Sequence, residues 1–323
     1  MNIWESIAIA LDTLRAHKLR SFLTLLGIIV SVWTLVAVVA LVQGVNGYVS
    51  DKVARLGSNT FSVEQMPLRL VDVQAYNEAK KRNKPIRLED FNFLQSRATL
   101  PTAMAASARH NSLNVKAGDQ SLDQVTIEGD TPDAIRMAAY DVAEGRFLTP
   151  EDEQHRAAVA FVGPDVAAHL FAGLDPIGRH LTVDGSDYTV IGVATVLGNT
   201  FGQSQDNYVI LPLSSYRKQY GTHDSLSIQV KASSALALPA TEDEVRMLMR
   251  AYRHLGYAKT DNFGIITASA VMDLFHNITG VIAAVMVGVS SVFLVVGGIV
   301  IMNIMLAAVT ERTREIGIRK ALG

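Results

Sequence analysis

The sequence predicts a membrane protein in which two transmembrane helices flank an α+β extracytoplasmic domain. Three observations carry this reading. Ser21 to Ser50 contains no Asp, Glu, Lys or Arg, and neither does Leu274 to Thr310. Each run exceeds the ~20 residues that cross a hydrocarbon core. Between them, short apolar or alternating runs interleave with helical patterns, as in a water-soluble domain. Composition agrees: 49% hydrophobic and 19% charged residues are rich for a soluble chain and lean for a carrier with many spans.

Residues 2–20 place Trp4, Ile7, Leu11 and Leu14 on one helical stripe, with Asn2, Glu5, Asp12 and Arg15 off it. This spacing predicts an amphipathic helix, lying in the headgroup plane with Trp4 as anchor or packed on the protein's own spans. The apolar part of the first run, Phe22 to about Val42, is longer than a ~7–15-residue signal core, and no A-x-A-like cleavage site follows promptly. It reads as a retained span.

Topology follows from the flanks. Arg15, Lys18 and Arg20 precede the first span, whereas Arg312, Arg314, Arg319 and Lys320 follow the second. Positive-inside bias places both ends in the cytoplasm. Residues 45–309 carry 22 basic and 27 acidic residues, a net of −5, which agrees with an outside location. The short flanks decide the matter, because the charge rule weakens for a loop of this length.

In the outer region, strands are expected at Thr60–Glu64, Ser112–Lys116, Gln124–Glu128, Ala157–Val162, Tyr188–Val193, Tyr208–Leu211, Ser225–Val230 and Phe263–Thr267. Asp184-Gly185 between His180–Val183 and Tyr188–Val193 signals a hairpin, since this dipeptide accepts the positive φ of a tight turn. Helices are expected at Leu88–Ser96, Pro164–Phe171 and Glu242–Leu255, the last opening on Thr241 and Glu244 at capping-box spacing. Asn77–Lys84, with Lys80, Lys81, Arg82 and Lys84, reads as a solvated or mobile loop. The irregular alternation of elements favours α+β over a regular parallel sheet.

Ser269 is positioned to cap a helix that begins outside the membrane and continues through the second span. From Ser269 to Val309 such a helix would run roughly 60 Å, about twice the ~30 Å core, so part of it should stand in water as a stalk. Gly280, Ala284 and Gly288 recur every fourth residue, with Ser291, Val295 and Gly298 beyond. Small residues in such a row let two helices approach closely. The charged end follows: Glu311, Arg312, Thr313, Arg314, Glu315, Ile316, Gly317, Ile318, Arg319 and Lys320. Glu315 and Arg319 lie at i, i+4 and Glu311 and Arg314 at i, i+3, which suits a short helix with internal ion pairs. Gly317 is expected to interrupt it, as a bend or as a point of close approach. Positive-inside bias alone explains Arg312 and Arg314, but not their alternation with Glu311 and Glu315.

Several chemistries are excluded. The chain has no cysteine, so disulfides, thiolate metal sites and Cys nucleophiles are absent. No Gly-Lys dipeptide occurs, hence no G-x-x-x-x-G-K-[ST] phosphate loop and no expected nucleotide hydrolysis by this chain. The eight histidines are scattered without an H-E-x-x-H pair, and no G-x-S-x-G elbow is present. Glu151, Asp152 and Glu153 form a surface-like cluster beside Pro150. No catalytic residue, metal or cofactor is expected, and a net charge of −2 gives no reason to expect nucleic acid.

The end of the chain, Gly297-Gly298-Ile299-Val300-Ile301-Met302-Asn303-Ile304-Met305-Leu306 followed by Thr310 to Gly323, closely resembles the permeases of MacB-type ABC transporters. Leu14 to Ile28 is similar to that family's first span. Weaker echoes are Leu56-Gly57-Ser58-Asn59, Gly145-Arg146-Phe147, and Asp175-Pro176-Ile177-Gly178 leading into Tyr188 to Val193. The resemblance implies an interfacial helix at 1–20, a first span at 21–45, an extracytoplasmic core domain at 46–272, stalk and second span at 273–309, and a coupling segment at 310–323. It further implies a bacterial inner-membrane permease acting in export or extraction, with a second permease copy, a separate cytoplasmic ATPase that binds the ATP, and a periplasmic adaptor as partners. ATP-driven closure of the cytoplasmic subunits would then move the outer domain through the helices.

Two departures stand out. MacB carries its ATPase at its own N-terminus, whereas this chain begins with the interfacial helix. Family permeases also have two further spans, so this chain is expected to be the N-terminal portion of a longer permease. Two rivals stay open on sequence alone: an FtsX-like regulator of an extracytoplasmic enzyme without transport, and a two-span sensor.

Overall fold

The structure, a computed structural model, describes residues 26, 29–30, 32–34, 36–45, 47, 59–67, 73–111, 114–137, 140–200 and 203–322. The expected interfacial helix at 1–20 and the motif Leu56 to Ser58 lie outside these residues. The chain divides into two compact units. One is Ser50–Leu274, and the other holds Phe275–Gly323 with the N-terminal residues up to Val49.

The larger unit is built on a twelve-stranded sheet. Its strands are β1 (Thr60–Glu64), β2 (Pro101–Asn111), β3 (Val115–Ala117), β4 (Gln120–Leu122), β5 (Thr126–Asp130), β6 (Val142–Gly145), β7 (Val159–Val162), β8 (His180–Val183) and β9 (Ser186–Ala194), then β12 (Tyr208–Pro212), β13 (Ser227–Ala232) and β14 (Gly264–Thr267). A separate two-residue ladder pairs β10 (Asn199–Thr200) with β11 (Gln203–Ser204). The order across the sheet is β14-β1-β13-β2-β5-β12-β7-β9-β8-β3-β4, with β6 also on β9. Pairs β5·β12 and β7·β9 are parallel and the others antiparallel. Because β1 lies between β13 and β14, the first and last strands meet at one edge, and the residue after β14 starts the long C-terminal helix.

The helices are α1 (Val32–Val45), α2 (Val73–Arg82), α3 (Leu88–Arg97), α4 (Pro150–Gln154), α5 (Pro164–Leu170), α6 (Leu213–Tyr220), α7 (Leu238–Tyr252) and α8 (Ala268–Ala321). On one face of the sheet α3, α5, α6 and α7 bury Leu94, Val166, Leu213, Tyr216 and Met249 against Val63, Ile127, Val209 and Ile228. Burying a side chain of this size stabilises by roughly 1.5–3 kcal/mol. The second face is covered only in part. There the 3₁₀ turn Pro132–Met137 joins Phe147 and Leu148 over Ala103, Ala105, Phe161 and Ile210.

Seven of the eight expected strands have counterparts shifted by at most two residues at either end: Gln124–Glu128 is observed as Thr126–Asp130, and Ser225–Val230 as Ser227–Ala232. The eighth, Ser112–Lys116, overlaps β3 only at Val115 and Lys116, and its residues 112–113 lie outside the described residues. The expected hairpin is β8–β9, and its turn residues Asp184 and Gly185 adopt φ of 47° and 82°. The longest strand, β2, went unread. PTAMAASARHN is rich in alanine, a helix former. Met104, Ala106 and Ala108 face one core and Ala103 and Ala105 the other. Small side chains suit a central strand covered on both sides, and this pairing overrides propensity.

Three local expectations are corrected. Asn77–Lys84 is not a loop as far as Arg82: α2 runs through it, burying Ala79 and ending on Lys80, Lys81 and Arg82, where basic charge suits the helix dipole. Thr241 does not cap α7, which already starts at Leu238 with Pro239 in its first turn. The Thr241 hydroxyl donates back to Ala237 O at 2.8 Å, and Glu244 instead accepts the Thr99 and Leu100 amides at 2.9 Å each. Finally, the cap of α8 is Thr267 rather than Ser269: Thr267 Oγ1 accepts the Ala270 amide at 3.1 Å.

Candidate functional site

Helix α8 is 54 residues long, or roughly 80 Å at 1.5 Å per residue. Within it Ala268–Asn303 forms a 36-residue stretch long and apolar enough to cross a membrane, and only 12% of its most apolar part is buried inside the protein. The core helix of a soluble domain would be mostly covered, and a signal sequence would lie near the N-terminus. Neither description fits. At the other end of the chain, α1 is apolar but, at Val32–Val45, shorter than a span among the described residues.

Gly280, Ala284, Gly288 and Gly298 are exposed, and nothing would lie within 4 Å of a Cβ at the three glycines. Other positions on α8 are covered: Leu274, Thr279, Ser290 and Gly297 are buried, and among the described residues Ser290 Oγ has no hydrogen-bond partner. The charged end is part of the same helix. Thr310 and Thr313 donate to Leu306 O and Val309 O, at 3.0 and 2.7 Å, and the helix continues to Ala321. Gly317 therefore does not interrupt it: one glycine costs only ~1 kcal/mol against alanine, too little to end so long a helix. Thr313 to Lys320 are exposed. Among the described residues Glu315 and Arg319 form no ion pair, contrary to their i, i+4 spacing. Exposed pairs gain little from holding two long side chains in register. The Glu311 and Arg312 side chains lie outside the described residues.

A concave site missed by sequence reasoning lies on the open part of the sheet's second face. Strand alternation builds it. Ser227 of β13 stands opposite Ser107 of β2, which stands opposite Asp130 of β5. Glu64 of β1 extends this row through a hydrogen bond from Ser227 Oγ to Oε1 at 2.5 Å. In the next row Arg109 opposes Glu128, and Arg109 Nη2 lies 2.5 Å from Glu128 Oε1. The Tyr140 hydroxyl donates to Glu128 Oε2 at 2.5 Å. Met137 and Tyr140 line it together with Ile266 of β14 and Ala268 and Val271 in the first turn of α8. The cavity, open on one side, is about 430 Å³.

Its electrostatics are unusual for an exposed sheet face. Burial pushes the Glu64 carboxyl up, against the hydrogen bond from Ser227. Burial, seconded by the Glu128 charge, pushes Asp130 well up; Asp130 is 1% exposed and its Oδ1 has no partner. Burial also raises Tyr140, so that its hydroxyl stays a donor to Glu128. The alternation in Thr60–Glu64 and Ser225–Val230 was the available signal for this face. Without β2 and the true end of β5, however, Arg109 and Asp130 had no place on it.

The weak echoes in the outer domain are turn and clamp elements. Gly145 has φ +76°, and an added Cβ would lie 2.3 Å from Ile191 O. Arg146 pairs with Asp152, and Phe147 sits in the smaller core. Asp175 Oδ1 accepts the Ile177 amide at 2.9 Å, and Gly178 has φ +80°. Asn59 Nδ2 donates to Ala232 O at 2.8 Å, tying the start of β1 to β13.

A family model described as the MacB-like periplasmic core domain matches residues 21–248. The macrolide export ATP-binding/permease protein MacB of Azoarcus sp. strain BH72 is 34% identical over 323 residues, covering 99% of this chain and 47% of that protein. The ABC transporter permease YknZ of Bacillus subtilis strain 168, itself uncharacterized, is 27% identical, covering 100% of this chain and 79% of that one. This chain thus spans about half the length of its MacB relatives. Among solved structures, the periplasmic region of MacB from Actinobacillus actinomycetemcomitans superposes with a TM-score of 0.57 at 17% identity, over 71% of this chain and 98% of that one. The extracellular domain of YknZ gives 0.51 at 20%, over 65% and 100%; both likenesses concern the fold. With the family model covering most of the chain and the outer-domain fold agreeing, the chain belongs to the MacB/FtsX-like family of ABC transporter permeases.

Proposed function

We propose that this chain is the part of a permease that links an extracytoplasmic domain to an ATPase in the cytoplasm. In this reading both ends are cytoplasmic, the first span lies at 21–45, and the core domain stands outside the inner membrane. ATP binds to a separate cytoplasmic subunit whose closure is passed along α8 to the outer domain, to export or extract a substrate. The observation that carries this is the continuity of α8. It starts one residue after β14, includes the apolar stretch Ala268–Asn303, and stays helical through the charged end to Ala321. An unbroken helix transmits displacement that a loop would absorb.

The exposed row Gly280, Ala284, Gly288 and Gly298 is where a second permease copy or further spans would pack, since small residues permit close helix approach. Glu311, Arg312, Arg314, Glu315, Arg319 and Lys320 would form the docking surface for the ATPase. The MacB relatives are named for macrolide export, which makes efflux of small hydrophobic compounds the reading to test first, with a periplasmic adaptor as an outer partner.

The test is charge reversal in the complete permease with its ATPase. Glu311→Lys and Arg314→Glu should each weaken docking, because stripping one side of a desolvated interfacial pair costs ~2–5 kcal/mol. Lys84→Glu, in the outer domain, serves as control. Co-purification and stimulated ATP hydrolysis are the readouts. Unchanged docking in both reversals would reduce these charges to topology signals.

A further inference from the structure

We propose that the cavity between Glu64, Tyr140 and the first turns of α8 binds an amphipathic amine, with Glu64 as counter-ion to the ammonium and Met137, Ile266 and Val271 against its apolar body. At about 430 Å³ the cavity has the size of a small-molecule pocket.

The choice of charge follows from which groups are already engaged. Arg109 is held by Glu128, and Tyr140 takes the other oxygen of that carboxylate. The Arg109 charge is therefore offset by Glu128, although Nη2 alone makes that contact. Glu64 accepts the Ser227 hydroxyl on Oε1 and feels the Arg109 charge from a distance, but among the described residues it stands in no salt bridge. Asp130 sits deeper in the same polar row, 1% exposed, with Oδ1 unpartnered. It lies on the same face of the sheet without lining the cavity, and Ser107 and Ser227 separate it from Glu64. Glu64, Glu128 and Asp130 against Arg109 leave the field negative whether or not Asp130 holds its proton. A cation is attracted and an anion repelled.

The walls then select for an apolar body. A hydrated metal ion gains nothing from Met137, Ile266 and Val271, whereas an amine with a ring or chain buries that surface. Val271 belongs to the first turn of α8, and Glu64 to the first strand of the domain. An occupant therefore touches both the sheet and the root of the long helix. Burial raises the Glu64 carboxyl, so affinity should fall with decreasing pH earlier than for an ordinary glutamate.

The experiment uses the whole chain in phosphatidylcholine nanodiscs at neutral pH, with dansylcadaverine as probe and its neutral N-acetyl derivative as comparison. The expected result is saturable brightening of the dansyl group, with the amine bound roughly tenfold or more tighter than the acetylated probe. Glu64→Gln should erase that preference while leaving weak binding of the neutral probe, which also reports an intact cavity. Val271→Trp, which crowds the apolar wall against which the probe's body would lie, should abolish saturable binding of both. If Glu64→Gln binds neither probe, Gln229→Lys decides, because an internal ammonium beside the site should displace the probe's own. The proposal is overturned by absence of saturable binding, by equal affinity for the two probes, by a preference that survives Glu64→Gln or Gln229→Lys, or by binding that survives Val271→Trp.

Discussion

Arg253 grips Asp90 across 163 positions of sequence, Nη2 to Oδ2 at 2.7 Å and Nε to Oδ1 at 3.1 Å. Their side chains are 8% and 6% exposed. The same guanidinium donates to Pro85 O and to Asn262 Oδ1, both at 3.1 Å, while Asp90 also accepts the Arg87 amide at the start of α3. One ion pair thus ties α7 to α3 and to the segments leading into α3 and β14. Removing Arg253 leaves a buried carboxylate without a counter-charge. Arg253→Met should destabilise the outer domain by ~3–5 kcal/mol, and adding Asp90→Leu should restore much of the loss. Thermal unfolding of the whole chain, followed by circular dichroism, checks both variants. Equal damage in the single and double variants would mean that packing, rather than the stranded charge, sets the cost.

Asp152 gives a pH dependence with a definite sign. Arg146 binds it with Nη1 at 2.6 Å and Nη2 at 3.2 Å, and Thr149 donates its amide and hydroxyl at 2.9 Å each. These bonds, that of Arg146 foremost, hold the carboxyl at about 2. An unfolded Asp titrates near ~3.9. The folded value is depressed, so the contribution is complete above about pH 4 and is lost as pH falls toward about 2. Arg146 is half exposed, and solvent screening reduces the contribution to about 1–2 kcal/mol. The stability difference between the parent chain and Asp152→Asn should shrink through that window. A difference that stayed constant down to its acid end would remove Asp152 as the titrating group.

Gly145 separates two costs of adding a methyl group. Its φ is +76°, and a Cβ would meet Ile191 O at 2.3 Å and Gly192 Cα at 2.8 Å. Gly173 has φ +74° but open space around the same position. Gly173→Ala should therefore cost only the left-handed strain, about 1 kcal/mol. Gly145→Ala adds a clash with backbone that cannot rotate away, for a total of ~2–4 kcal/mol. Denaturant midpoints of the two variants give the comparison. Equal losses would show that β6 moves aside to accommodate the methyl.

Legibility in the sequence followed the range of the physics involved. Local signals were read well: the Asp184-Gly185 turn, the helix opening at Leu88, and the charge-free run that becomes the apolar part of α8. What failed depended on partners far along the chain. The alanine-rich β2 is a strand because β13 and β5 flank it and both faces are covered. Thr241 and Glu244 have capping-box spacing, but Pro239 starts α7 earlier and Thr99 captures the glutamate. The polar cavity was invisible for the same reason. Its residues come from β1, β2, β5, β13, β14, the segment Met137–Tyr140 and α8, and only the register brings Glu64, Ser227, Ser107 and Asp130 into one row. The resemblance at the two ends of the chain located the family, but it pointed away from this site.

The last prediction concerns Gly317, where the structure replaces an expected break by continuous helix. A Cβ at this position would meet nothing within 4 Å. Gly317→Ala should thus be accommodated and stiffen the end of α8 by ~1 kcal/mol. Gly317→Pro should remove an amide donor and clash with the carbonyl of Thr313, at a cost of ~3 kcal/mol or more. If α8 passes motion to its charged end as one body, the alanine variant keeps ATPase stimulation in the complete permease and the proline variant loses it. Both should leave the outer domain's unfolding unchanged, since the substitution lies far along α8 from β14. Stimulation that survived proline would show that helix continuity beyond Thr310 is not required. Loss on Gly317→Ala would instead assign the glycine to a close approach by the partner, because the helix itself has room for the methyl.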